Sequence, residues 1–232
     1  MMKKGPYEIF ELDASCLRIE ENGVRSFLFI GQTKALLIDS GFGTGDLKAV
    51  VEELTALPMM LVSTHADGDH IGCNKLFEKA YMHPAEYDRY HCGAGAGLQA
   101  EPLWEGEQID IGGRSFEVIL IPGHTPGSIA LLDAQNRILI AGDSIQAGTV
   151  YMFGPGRNMP AYIQSMKRLE AMAGRYDTIY PSHGPIPVMP GIIPALVAGA
   201  QRVLAGEVVG TPMPDRPGVH VYDVGEAKFL FD

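Results

Sequence analysis

Cysteine is scarce in this chain: Cys16, Cys73 and Cys92 are its only thiols, odd in number and widely spaced. That excludes a disulfide framework and a Cys-x-x-Cys zinc site, and leaves small buried or inert thiols as the expected role. Long apolar runs are missing too. The longest, "IPALVAGA" at 193–200, falls far short of the roughly 18 residues needed to cross a bilayer, so no membrane span is expected. Positive charge is in deficit, with 18 Lys and Arg against 28 Asp and Glu, for a formal charge of −10. Nucleic acid is therefore an unexpected partner, since phosphate binding relies on basic surface. The opening "MMKKGPYEIFELDAS" turns to Gly5, Pro6 and an alternating run where an export signal would have an apolar core, and a cytoplasmic location is the expectation. No Gly-x-Ser-x-Gly elbow is present, and Ser128 and Ser144 adjoin a turn glycine and Asp143, which argues against serine catalysis. "GAGAG" at 93–97 lacks the lysine of a phosphate-binding loop.

What is present is ordinary globular material, 46% hydrophobic and 20% charged, and a single domain over 1–232 is expected. Apolar patterning broken by Gly and Asp at short intervals predicts strands at 7–12, 15–20, 25–31, 34–39, 59–63, 115–121, 127–133, 137–141, 176–181 and 219–231. Helices are predicted at 45–57, 71–78, 84–91, 159–174 and 190–206. The fold class is α+β, in layers of sheet covered by helices.

The chelating side chains all fall where predicted strands end. In "STHADGDHIGC", residues 63–73, His65, Asp67, Asp69 and His70 follow a strand; His124 follows "FEVILIPG", Asp143 follows "RILIAG" and His183 follows "DTIYPS". One such residue is usually a turn or a cap. Seven together, four of them within one hexapeptide, would repel or hydrogen-bond wastefully unless divalent cations offset their charge and desolvation. Loops at one edge of a sheet are how a fold gathers such donors from distant positions. Residues 65, 67 and 69 point the same way if the segment is extended, and Gly68 lets the chain turn so that His70 joins them. His83, His91 and His220 lie outside this pattern and read as surface or packing residues.

"THADGDH", "PGHTPGS", "AGDS" and "SHG", in that order, resemble the motifs of the metallo-β-lactamase superfamily over roughly residues 7–190, and "LLIDSG" at 36–41 matches its early Asp-x-Gly element. The resemblance implies a four-layer αββα sandwich with two divalent metal ions, zinc first and iron or manganese as alternatives. His65, Asp67 and His124 would hold the first ion, Asp69, His70 and His183 the second, and Asp143 would bridge them. Asp69 and Asp143 would be the catalytic carboxylates around a metal-bridging hydroxide. Asp67 departs from the family, which has its second histidine there. The substitution predicts a centre of about zero net charge where an imidazole would leave about +1, a less acidic bound water and a harder first site. The flavodiiron oxygen and nitric oxide reductases of the same superfamily carry an acidic residue there. Asp39 is expected to brace the loop, because Gly41, Gly43 and Gly45 build a turn beside it.

The resemblance implies hydrolysis of a small ester, thioester or lactone-like substrate. The alternative is an iron-dependent redox protein, flavodiiron-like or persulfide-dioxygenase-like, although only about 49 residues follow His183, too few for a flavodoxin-like module. A secreted lactamase would carry an export signal, and a glyoxalase II would look more like "THHHxDH" with basic residues late in the chain for glutathione, where the region after 206 offers only Arg216 and Lys228. Within "GTVYMFGPGRNMPAY", 148–162, Tyr151, Phe153, Arg157 and Tyr162 are the candidate substrate contacts, with Arg157 meeting a carboxylate or phosphate. Residues 83–98 would form a second rim. The partner is a small molecule, and a homodimer is compatible with everything above.

Overall fold

The computed structural model describes residues 1–93 and 99–232, so the glycine-rich stretch at 94–98 lies outside the described residues. The chain forms two compact units, Met1–Val118 and Ile119–Asp232. The class is α+β, as expected. Among the described residues no helix is long and apolar enough to cross a membrane.

The first unit opens with β1 (Met2–Lys4), β2 (Tyr7–Asp13), β3 (Cys16–Glu21), β4 (Val24–Ile30) and β5 (Ala35–Ile38). After α1 (Leu47–Leu54) come β6 (Met59–Val62), the single turn α2 (Gly68–Ile71), β7 (Lys79–Met82), α3 (Tyr87–Cys92) and β8 (Gln99–Pro102), then β9 (Gln108–Asp110) and β10 (Ser115–Leu120). Strands β1 to β8 form one sheet in sequence order. Its first five strands pair antiparallel, and β5 to β8 pair parallel. Parallel neighbours need a crossover, which is why every helix of this unit falls after β5. One face of the sheet packs Leu28, Leu37 and Leu61 against Leu47 and Val51 of α1 and Ile71 of α2. On the alternate positions Phe27, Phe29, Leu36 and Ile38 are also buried, and Phe29 meets Phe116 of β10 edge-on at 4.8 Å.

The second unit contains β11 (Ile129–Asp133), β12 (Ile138–Gly142), β13 (Thr149–Met152), α4 (Met159–Ala171), β14 (Thr178–Pro181), α5 (Ile192–Leu204), β15 (Thr211–Pro212), β16 (His220–Asp223) and β17 (Lys228–Phe231). Strand β12 lies between β11, antiparallel, and β14, parallel. A second sheet has the order β13-β17-β16-β15. Ala130, Leu132, Leu139 and Ala141 share a core with Met166 and Leu169 of α4, Leu196 and Ala200 of α5, and Phe229 of β17. The predicted strand at 219–231 is a hairpin, β16 and β17, because Gly225, at φ +100°, turns the chain. The helix predicted at 71–78 is instead α2 followed by a short 3-10 turn at Asn74–Leu76. Strands β1, β7, β8, β9, β13 and β15 lie outside the predicted ranges, being too short to leave an alternation.

In the first unit the loop after β5 is stitched to the loop after β6. Ser40 N donates to His70 O at 2.7 Å and Gly72 N to Gly41 O at 2.9 Å. The buried Glu21 carboxylate accepts from the backbone N–H groups of Phe42, Gly43 and Thr44, holding the turn that Gly41 and Gly43 build at positive φ. At Gly72 the two loops touch: a β-carbon there would lie 2.2 Å from the Phe42 carbonyl carbon. Gly72→Ala should therefore lower unfolding stability by about 3 kcal/mol in chemical denaturation, since backbone must move to admit a methyl group. Gly68→Ala, where a β-carbon meets nothing within 4 Å, should stay within about 1 kcal/mol of the parent.

Candidate functional site

Each predicted donor sits just beyond the carboxyl end of a strand. Asp39 follows β5, the 65–70 group follows β6, His124 follows β10, Asp143 follows β12 and His183 follows β14. In open α/β sheets ligands gather at this end of the strands.

In the first unit Asp39, 1% exposed, organises the group. Its Oδ1 accepts from Thr64 N at 2.7 Å, and its Oδ2 accepts from the Thr64 hydroxyl at 2.8 Å. The same Oδ2 lies 2.8 Å from His70 Nδ1. A carboxylate only accepts, so His70 carries its proton on Nδ1 and presents a lone pair on Nε2. The Thr64 hydroxyl spends its proton on Asp39, so its 3.0 Å contact with His65 Nδ1 makes that nitrogen the donor and again leaves Nε2 with a lone pair. One carboxylate thus sets the tautomer of two histidines, whose rings lie 4.0 Å apart between centroids. The loop-bracing role expected for Asp39 is what the geometry shows.

Other groups hold this loop that the sequence pattern did not single out. The buried Glu86 accepts from Ala66 N at 2.8 Å, and Arg89 Nη2 lies 2.6 Å from Asp67 Oδ1. Asn74 receives the Ser40 hydroxyl at 2.6 Å and donates to Ser63 Oγ at 3.0 Å. None of these residues forms a motif with the donors, and only the fold reveals them. Arg89 bears on the charge expected at position 67, because its guanidinium faces the Asp67 carboxylate and offsets it.

In the second unit His124 and His183 flank Asp143. His124 Nε2 lies 3.7 Å from Asp143 Oδ2, and His183 Nε2 lies 3.5 Å from Asp143 Oδ1. His124 Nδ1 donates to the Tyr151 carbonyl at 2.8 Å, which fixes its tautomer as in the first unit. Gly123 has φ +146°, and a β-carbon there would lie 2.4 Å from Tyr162 Cα, so only glycine lets α4 approach the His124 loop.

The four histidines share one metric feature. Besides the two Asp143 pairs, His65 Nε2 is 3.6 Å from Asp67 Oδ2 and His70 Nε2 is 3.7 Å from Asp69 Oδ2. These separations exceed an N–H···O hydrogen bond. Two donors each about 2.1 Å from one tetrahedral ion would lie about 3.4 Å apart. For His65, His70 and His124 the hydrogen bonds above leave a lone pair on Nε2, and imidazole nitrogens beside carboxylate oxygens at that spacing suit Zn, Fe or Mn, so the donor sets of both units fit a divalent metal.

The expected substrate contacts fare differently. Tyr151 is 41% exposed on β13, Phe153 is half-buried with Arg216 over its ring at 4.9 Å, and Arg157 is half-buried in the turn before α4. Tyr162 is 1% exposed in the core, its hydroxyl donating to Ser144 O at 2.9 Å. Burial pushes its phenol well up, so it remains a donor. It is a brace between the His124 and Asp143 loops, because the helical pattern of α4 turns it inward. His83 caps the 3-10 turn before α3, its Nδ1 accepting from Ala85 N, and burial holds its imidazole below the ordinary range. His91 packs with Tyr87 and Tyr90, and His220 with Tyr222. The three cysteines are free.

A family model described as the metallo-beta-lactamase superfamily matches residues 20–183. The chain is 27% identical over 207 residues to a Gallus gallus protein named acyl-coenzyme A thioesterase MBLAC2, a match covering 72% of this chain and 75% of that protein. It resembles a solved metallo-beta-lactamase from Pontibacter korlensis with a TM-score of 0.72 and 18% identity, covering 84% of this chain and 99% of that one, a likeness of fold. It also resembles the protein TTHA1623, solved in a di-iron-bound form, with a TM-score of 0.59 and 26% identity over 73% of this chain and 92% of that one.

If Asp39 sets both tautomers, Asp39→Ala should lower zinc affinity 10- to 100-fold in chelator competition. It should also cost about 3 kcal/mol of stability, by stranding the N–H and O–H groups it satisfies. Asp39→Asn keeps an acceptor for Thr64 N and should lose less stability while still weakening zinc binding.

Proposed function

The chain belongs to the metallo-beta-lactamase superfamily, and from that premise we propose that it is a metal-dependent hydrolase whose substrate is a small thioester, with oxygen esters and lactones as neighbouring chemistry. The observation that carries this reading is the fourfold repetition of a histidine Nε2 at 3.5–3.7 Å from a carboxylate oxygen. The thioester preference rests on the relative named as an acyl-coenzyme A thioesterase. We treat the two units as parts of one functional domain, because the family match runs across their boundary.

In this reading His65, Asp67 and His124 would hold one divalent ion and Asp69, His70 and His183 another, with Asp143 as the carboxylate that would serve both. Bound divalent ions supply a water made nucleophilic near neutral pH and a Lewis acid for the acyl oxygen. The chain's part is to keep the donors in place and in the right protonation state. Asp39, directly for His70 and through the Thr64 hydroxyl for His65, and the Tyr151 carbonyl for His124 keep each ring's proton on Nδ1 and leave Nε2 with its lone pair. Asp69, as a carboxylate, is the group able to accept a proton from a water held there, while Asp143 would be catalytic by holding the two ions together. Tyr151 and Phe153 offer aromatic surface to an acyl chain, and Arg157 offers a guanidinium to an anionic substrate group.

The second reading, an iron-dependent redox protein, is favoured by one fact, the di-iron-bound form of TTHA1623. Metal analysis of protein purified without added metal, followed by a panel of thioesters, lactones, phosphodiesters and β-lactams, separates the two. Zinc or manganese with thioester turnover that falls at least 10³-fold in Asp143→Ala supports hydrolysis. Two irons per chain with no hydrolysis of any panel member would sink it.

A further inference from the structure

The departure at position 67 comes with a partner. One oxygen of Asp67 lies 3.6 Å from His65 Nε2, and the other lies 2.6 Å from Arg89 Nη2. The Asp67 side chain is 14% exposed, so its charge sits largely out of water, where a guanidinium at contact distance counts for more than on an open surface. Arg89 is itself placed from below. Three residues earlier, one turn along the same helical segment, the buried Glu86 accepts from Ala66 N at 2.8 Å and so ties the base of α3 to the residue between His65 and Asp67. The segment holding the guanidinium is thereby registered on the loop holding the carboxylate.

We propose that Arg89 is a positioning residue that, paired with Asp67, stands in for the superfamily's second histidine. An aspartate and an arginine together carry no net charge, as a neutral imidazole does. With Oδ1 engaged by the guanidinium, Asp67 offers a metal ion one oxygen, as an imidazole offers one nitrogen. The pair therefore preserves both the charge and the single-donor character of the position, while an unaccompanied aspartate would add a negative charge and a second oxygen. Positions 67 and 89 form one unit, and changing either alone breaks it.

This inference rests on the metal-binding reading, and the test separates the two. Zinc affinity is measured by competition with a chromophoric chelator, and the Co²⁺ absorption spectrum is recorded, on the full chain and on R89Q, R89K, D67H and D67H/R89Q, with thermal unfolding as a check on each. D67H should bind zinc at least tenfold more weakly, because Arg89 is left facing a cationic centre without its anion. D67H/R89Q should recover to within threefold of the parent. R89Q should weaken the visible Co²⁺ bands as Asp67 brings its second oxygen to the ion and coordination number rises, while R89K, which keeps the charge, should retain most of their intensity. Equal zinc affinity in D67H and D67H/R89Q, or an unchanged Co²⁺ spectrum in R89Q, would overturn the pairing and leave the metal reading standing. A parent protein that takes up neither zinc nor cobalt would overturn both. If D67H does not fold, the R89Q and R89K spectra decide alone.

Discussion

Asp39 is the carboxylate on which the first donor group depends. It is buried, accepts three hydrogen bonds from two residues of the adjoining strand exit, and through them sets the protonation pattern of His65 and His70. Each bond is modest by itself, but they share one acceptor, and together they convert a flexible hexapeptide into a fixed set of lone pairs. The second unit reaches the same end with backbone: the Tyr151 carbonyl does for His124 what Asp39 does for His70. In both cases the ring nitrogen nearer the backbone is occupied by the fold, and the outer one is left for chemistry. The donors are thus arranged by the protein's own hydrogen bonds, so that a ligand meets a prepared surface and spends little of its binding energy on ordering it.

Much of this was legible from the residues in order. The alternation around Leu28, Leu37, Leu131 and Leu139 and the turn glycines beside it locate nine strands to within about two residues at each end, and the donor residues stand out because each follows such a run. What escaped has a common physical cause. Glu86, Arg89 and Asn74 act on residues 11 to 34 positions away, through contacts that leave no periodicity behind. Tyr162 looked like a pocket wall from its neighbours Gly154, Gly156 and Arg157, but the period of α4 carries it into the core. The helical spacing of "IGCNKLFE" predicts a longer helix after His70 than the structure has, because the stitching of Ser40 and Gly41 onto that loop overrides the preference.

The charge at position 67 shows the limit of counting motif residues alone. Read by itself, an aspartate in place of a histidine makes the site more negative. Read with Arg89 at 2.6 Å, it is half of an ion pair, and the sum is restored. A departure from a motif is therefore best weighed together with whatever the fold has set against it.

Asp39 has one further property. Its φ is +60°, a conformation that side chains longer than aspartate or asparagine seldom adopt. Glutamate carries the charge but resists that backbone, asparagine accepts the backbone but lacks the charge, and glycine accepts the backbone but has no side-chain acceptor. Almost no other side chain satisfies both requirements at this position. Charge, length and backbone conformation therefore act together at this one position, and aspartate is the side chain that meets all three demands.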